Sequence, residues 1–198
     1  PRRAGYHDIR QNGGKEIDHA CTVRGAAQRE DSMVIQKKVC LLGDFAVGKT
    51  SLIRRFVFNQ FSENYLTTIG VHITKKEISL GRDTIVLILW DLAGDDGIQK
   101  ISSSYLAGAS GAIFVGDLSR SETIGNISSQ MRLFKEVNPD SSSVIAFNKK
   151  DLVTGPVDAG ETSRGASIPG DTPVFPTSCK TGENVESVFA ALADRILG

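Results

Sequence analysis

The stretch Gly43-Asp44-Phe45-Ala46-Val47-Gly48-Lys49-Thr50 restricts this chain to few folds. It fits the pattern G-x-x-x-x-G-K-[ST], and it lies between the apolar run Val34–Leu42 and an amphipathic segment, Thr50–Phe58. That placement matters because glycines at its ends let the backbone curl, so that successive N–H groups converge on phosphate oxygens. The following helix N-terminus adds positive potential. Lys49 can reach the β- and γ-phosphates as a point charge, and the Thr50 hydroxyl can ligate Mg²⁺. Ser51 follows in the same turn. The bland alternative is a Gly-rich strand-to-helix turn, which the flanking elements argue against. The loop specifies a nucleoside triphosphate without choosing its base.

The rest of the chain alternates strand and helix signals. Val71–Leu80 and Ile85–Asp91 are β-rich runs joined by Gly81-Arg82-Asp83, a hairpin signal. Ala112–Asp117 and Val144–Asn148 are short apolar runs bounded by turn residues, as strands covered on both faces should be. Between them, Ile124, Ile127, Met131, Phe134 and Val137 recur at helical spacing within Ser121–Val137. Val174–Pro176 is a last short strand, and Val185–Leu197 a last helix with Val185, Val188, Phe189, Leu192 and Ile196 on one face. The expected fold is therefore α/β, a three-layer sandwich around a mostly parallel six-stranded sheet with one antiparallel strand. Ligands of such sheets sit at the carboxyl ends of the strands, where the motifs fall.

Composition narrows the function classes. Of 198 residues, 40% are hydrophobic and 23% charged, which allows one packed core. Lys plus Arg equals Asp plus Glu at 23 each, so no global field favours nucleic acid or an anionic membrane. No apolar run approaches the roughly 18 residues that a spanning helix needs. Cys21, Cys40 and Cys179 make neither a metal spacing nor a disulfide framework, which fits a reducing cytosol, and a cytoplasmic location is expected. The last residues, Ala193–Gly198, hold no cysteine for prenylation. Residues 1–32 are polar with no sustained period, and read as an extension, non-native or disordered. A docking arm is the alternative. The working domain is expected to span 33–198, starting at Met33.

Asn148-Lys149-Lys150-Asp151 selects the base. It follows an apolar strand, so it projects from the carboxyl edge of the sheet. Asp151 can accept from both the ring N1–H and the exocyclic amine of guanine. Adenine has no such donor pair, and an unpaired carboxylate there would be costly. Alone, the four residues could be an ordinary polar loop; after a phosphate loop, guanine is the better reading.

Together these residues resemble a small GTPase of the Ras superfamily, closest to its Rab-like branch. Tyr65-Leu66-Thr67-Thr68-Ile69-Gly70 resembles the first switch of Rab proteins, Trp90-Asp91-Leu92-Ala93-Gly94 the W-D-T-A-G opening of the second, and Thr177-Ser178-Cys179-Lys180 the T-S-A-K guanine loop. The five blocks occur in family order over residues 34–198. The resemblance implies GTP or GDP held with Mg²⁺ in a small G-domain. Mg²⁺ would take ligands from Thr50, Thr68 and, through water, Asp91. The Thr68 and Gly94 N–H groups would meet the γ-phosphate, so its loss would release both switches. Phe61 would lie against the guanine ring, with plain core packing as its alternative. Lys149 and Lys180 would stack their stems on the base, while Ser178 and Cys179 support Asp151. Cys179 stands where Ala is usual, a small buried thiol rather than a redox sensor. Ile73, Trp90 and Tyr105 match the apolar triad that Rab proteins present to effectors; ordinary core or strand-surface roles are the alternative.

Two further positions and one segment depart from the family pattern. Asp95 replaces the usual water-orienting Gln, and an ionised carboxylate can only accept hydrogen bonds and repels phosphate. Phe45 stands where Gly or Ser is usual and crowds the entry of an arginine finger. The catalytic set, Asp95, Gly94 and Lys49, is thus expected to turn over slowly. Finally, Gly155–Gly165 is a poor helix sequence where relatives place a helix, so a short or frayed one is expected. The favoured function is a slow GTP-hydrolysing switch acting on protein effectors, with exchange and activating proteins as further partners. The alternatives are a non-hydrolysing GTP-binding module and a P-loop kinase or ATPase; Asn148–Asp151 and Ser178–Lys180 argue against the last.

Overall fold

Six strands hydrogen-bond in the order β2-β3-β1-β4-β5-β6. The computed structural model describes residues 34–62, 70–80, 83–92 and 103–198. The expected extension at 1–32 lies outside the described residues. So do Thr68 and most of the first switch block, and Ala93, Gly94 and Asp95 of the second. In chain order the elements are β1 (Val34–Leu42), α1 (Lys49–Phe58), β2 (Val71–Leu80), β3 (Asp83–Leu92), α2 (Ser103–Leu106), β4 (Gly111–Asp117), α3 (Ser121–Gly125), α4 (Ile127–Val137), β5 (Ser142–Asn148), α5 (Ala159–Gly165), β6 (Val174–Pro176) and α6 (Val185–Leu197). β2 and β3 pair antiparallel, from Val71 opposite Leu92 to Leu80 opposite Asp83. Every other neighbouring pair is parallel. β2 and the three-residue β6 form the two edges.

The alternation of side chains along each strand builds two cores. Val39 and Leu41 of β1, Ile113 and Val115 of β4, and Val144 and Ala146 of β5 face one way, under α1 and α6. Phe56 of α1 stacks on Phe189 of α6 with ring centroids 3.7 Å apart. Cys40 and Leu42, Ala112 and Phe114, and Ile145 and Phe147 face the other way, under α3 and α4. There Phe134 of α4 meets Phe114 edge-on at 5.9 Å. Covered on both faces, β4 is buried throughout and β5 nearly so, which is why their sequences read as unbroken apolar runs. Each fully buried Phe or Leu contributes about 1.5–3 kcal/mol.

Two elements differ from or refine the sequence reading. The periodic segment 121–137 is interrupted at Asn126, between α3 and α4. Gly125 and Asn126 are weak helix formers, and the Asn126 amide donates to Asp44 at 2.8 Å. α5 is short, as its composition predicts, with Asp158 capping it by accepting from the Glu161 N–H at 2.9 Å. None of its residues is buried. Ala166 and Ile168, just beyond it, cover the sheet instead.

Candidate functional site

The carboxyl ends of β1, β3, β4 and β5 bring together Gly43, Asp91, Asp117 and Asn148. β1 stops at Leu42, and the loop from Gly43 to Gly48 turns the chain into α1. Two glycines make this turn possible. Gly43 has φ +148°, and a Cβ there would lie 2.3 Å from the Val115 carbonyl oxygen; Gly48 has φ +107°, and its Cβ would lie 2.2 Å from Asn148 Nδ2. Between them Ala46 is left-handed at φ +58°, a conformation that a non-Gly residue adopts only when its surroundings hold it there. The Val47 side chain is buried in the core, so only its backbone serves the loop. Lys49, at the start of α1 and only 7% exposed, donates to the Gly43 and Asp44 carbonyls at 2.9 and 3.0 Å. Its ammonium thus sits in the concavity of the loop. Phe45 is 49% exposed at the rim.

Thr50 Oγ1 donates to Asp91 Oδ2 at 2.6 Å. Asp91 closes β3 and is buried. A hydroxyl and a carboxylate at this spacing form a hard-oxygen pair, the donor chemistry that Mg²⁺ takes, with its remaining positions filled by phosphate and water. Among the described residues, no group of three or more His, Cys, Asp or Glu could hold a metal by itself. A site sharing its ion with a phosphate ligand fits that pattern.

Beside the loop lies a cleft of about 320 Å³ lined by Gly48, Ser51, Phe61, Asn148, Lys149, Asp151, Leu152, Cys179 and Lys180. Of the expected base-loop residues, Asn148, Lys149, Asp151, Cys179 and Lys180 share this space. Ser178 Oγ donates to Asp151 Oδ1 at 2.5 Å, fixing the carboxylate at the cleft wall. Asn148 is the joint: its Nδ2 donates to the Val47 carbonyl at 2.9 Å, and its Oδ1 accepts from the Cys179 N–H at 3.2 Å. One buried amide so holds the Gly43–Thr50 loop and the Ser178–Lys180 loop together. Arg55 of α1 reinforces the second loop, donating to the carbonyls of Cys179 at 2.8 Å and Lys180 at 2.6 Å. Burial pushes the Cys179 thiol up to about 12, so it is a neutral packing group. Phe61 is half-buried against the α1/α6 core and also lines the cleft.

Asp117 was missed in the sequence. It ends β4 fully buried and pairs with Lys149 Nζ at 2.7 Å. It also accepts from the Ser119 N–H and hydroxyl, and from Arg120 Nε at 3.0 Å. Burial alone would raise its carboxyl, but the bonds from Lys149, Ser119 and Arg120 outweigh that and hold it below the usual range. Asp44 is similarly tethered, to Asn126 and to Gln130 Nε2 at 2.7 Å. A lone carboxylate closing an otherwise apolar strand was the available signal for Asp117.

The three residues of the expected effector patch also meet. Ile73 of β2 lies directly opposite Trp90 of β3, and the Trp90 and Tyr105 rings are 6.4 Å apart. Ile73 and Tyr105 are 52% and 45% exposed, so neither is a core residue. Lys38 covers the Trp90 ring at 4.1 Å.

The family model described as Ras family matches residues 38–198. The chain is 33% identical over 160 residues to the GTP-binding protein YPTM2 of Zea mays, covering 80% of this chain and 79% of that one. It is 34% identical over 160 residues to the Ras-related protein RABD1 of Arabidopsis thaliana, covering 80% and 78%.

Proposed function

The chain belongs to the Ras family as a Rab-like small GTPase, and on that premise we propose that it is a slow guanine-nucleotide switch whose output is a nucleotide-dependent protein interface. The observation that carries this reading is the pair of hydrogen bonds by which Asn148 donates to Val47 O and accepts from the Cys179 N–H. It sets a phosphate loop and a base loop at one fixed separation. Lys49 and the loop N–H groups take the phosphates, Thr50 and Asp91 hold Mg²⁺, and Asp151 accepts from guanine. Thr68 and the Gly94 N–H complete the γ-phosphate contacts, which makes the order of both switches depend on that phosphate. Ile73, Trp90 and Tyr105 form the patch read by effectors. Among the described residues, no helix is long and apolar enough to cross a membrane. The chain protein purified without added nucleotide should release GDP or GTP on denaturation, identified by chromatography; adenine nucleotide in their place would overturn the reading.

A second reading, a guanine-nucleotide module that stays loaded, is favoured by the half-exposed Phe45 at the loop rim and by Asp95 in place of Gln. Single-turnover hydrolysis of bound GTP separates the two.

A further inference from the structure

We propose that Arg120 is a positioning residue for the bound nucleotide, holding the Phe45 carbonyl so that the adjoining peptide N–H faces the β-phosphate; the inference rests on the guanine-nucleotide reading of the site. Arg120 lies in the turn between β4 and α3. Its Nη2 donates to the Phe45 carbonyl at 2.7 Å, and its Nε to Asp117 Oδ2 at 3.0 Å. Asp117 in turn holds Lys149 of the base loop at 2.7 Å.

A trans peptide points its C=O and N–H in opposite directions, so fixing the Phe45 oxygen fixes the Ala46 N–H. Arg120 grips that oxygen from the start of α3, so the Ala46 N–H points away from Arg120, and the proposed place of the β-phosphate is on that far side. Ala46 needs such a hold, because its φ of +58° is one that Ala resists. Packing does not supply it, since the Phe45 side chain is 49% exposed. The neighbouring carbonyls of Gly43 and Asp44 are held by Lys49; Phe45 is the next in line, and Arg120 is its cation. A rigid fork with donors on different edges suits this double role, whereas an ammonium on a flexible stem does not.

The test is release of a fluorescent GDP analogue from the full chain, in Mg²⁺ buffer, for wild type, Arg120→Ala and Arg120→Lys. Arg120→Ala should release about five- to tenfold faster, the loss of one charge-assisted bond screened at a half-exposed site. Arg120→Lys should fall between. GMP lacks the β-phosphate, so the GDP-to-GMP affinity ratio should drop by a similar factor, whereas the lost bond to Asp117 lowers the melting temperature of the nucleotide-free chain without changing that ratio. Unchanged release would overturn the proposal. So would equal weakening of GDP and GMP, which marks a general brace. Slower hydrolysis with unchanged release would assign Arg120 to the transferring phosphoryl group instead. Wild type that holds no GDP would reject the nucleotide reading itself, a result distinct from all of these.

Discussion

Thr50 and Asp91 stand 41 residues apart in sequence and meet at 2.6 Å between Oγ1 and Oδ2. One starts the first helix and the other ends the strand beside β1, so parallel pairing of β1 with β3 sets their separation. Each is a poor metal site alone. Under the proposed function they would together supply part of the oxygen shell of a phosphate-bound Mg²⁺. Thr50→Asn and Lys49→Ala should each weaken GTP binding by about 1.5–3 kcal/mol, the worth of a charge-assisted contact. Chelation of Mg²⁺ should also speed nucleotide release. Titration of both variants is the check, and wild-type affinity in both would move the phosphate site elsewhere.

Under the proposed function, guanine selectivity would rest on Asp151, whose carboxylate accepts from Ser178 Oγ at 2.5 Å. GDP and GTP should bind far more tightly than ADP and ATP. Asp151→Asn should shift preference toward xanthine nucleotides, whose base presents a carbonyl where guanine has an amine. Equal affinity for ATP and GTP in the wild type would remove this role from Asp151.

Hydrolysis should be slow. Ras, with a Gln at the corresponding position, turns over unaided at only about 3–5 × 10⁻⁴ s⁻¹. An Asp there lacks the donor and adds repulsion, so unaided turnover should be at or below roughly 10⁻⁴ s⁻¹. Single-turnover decay of bound GTP measures it. A faster wild-type rate that falls in Asp95→Ala would show a working carboxylate.

Asp117 predicts an acid limb to stability. Its carboxyl is held below the ordinary value of 3.8, so ionisation stabilises the folded state above that pH. The contribution is lost as pH falls through the lower folded value. Asp117→Asn should therefore melt below wild type at neutral pH, with the gap closing under strong acid. Melting curves between pH 2 and 7 test this, and a gap independent of pH would contradict the assignment.

The buried thiols should be inert. Burial pushes Cys40 up to about 11 and Cys179 up to about 12. At pH 8 the thiolate fraction of Cys179 is then roughly a thousandfold below that of a free cysteine. Iodoacetamide should label neither in the folded protein and both after denaturation, read by peptide mass. Labelling of native Cys179 would reopen a redox role for it.

The sheet was legible because its physics is local. β4 and β5 are buried on both faces, so their sequences are continuous apolar runs. α6 was legible through Val185, Val188, Phe189 and Leu192, which recur at helical spacing and all lie in one core. The nucleotide motifs were legible because loops that bind phosphate need Gly and Lys at fixed offsets. What stayed hidden are the contacts between those motifs. Nothing local in Asn126 or Gln130 announces that they meet Asp44, 82 and 86 residues away. Nor does a turn residue such as Arg120 reveal that it will bond Phe45, 75 positions earlier. Such bonds exist only once β1 and β4 lie side by side.

The ten-residue β2 carries one further consequence, because among the described residues it lies at an edge of the sheet. An open edge of that length displays a row of unpaired amides and carbonyls, and a second chain could add to it and start a growing aggregate. Its middle is Lys75-Lys76-Glu77, with Lys75 and Glu77 exposed. A flat, neutral intruder would have to settle among these charges and strip them of water. The same strand that gives Ile73 to the surface thus guards itself against fibre formation, and replacing Lys75 and Glu77 by Val should lower the concentration at which the protein precipitates.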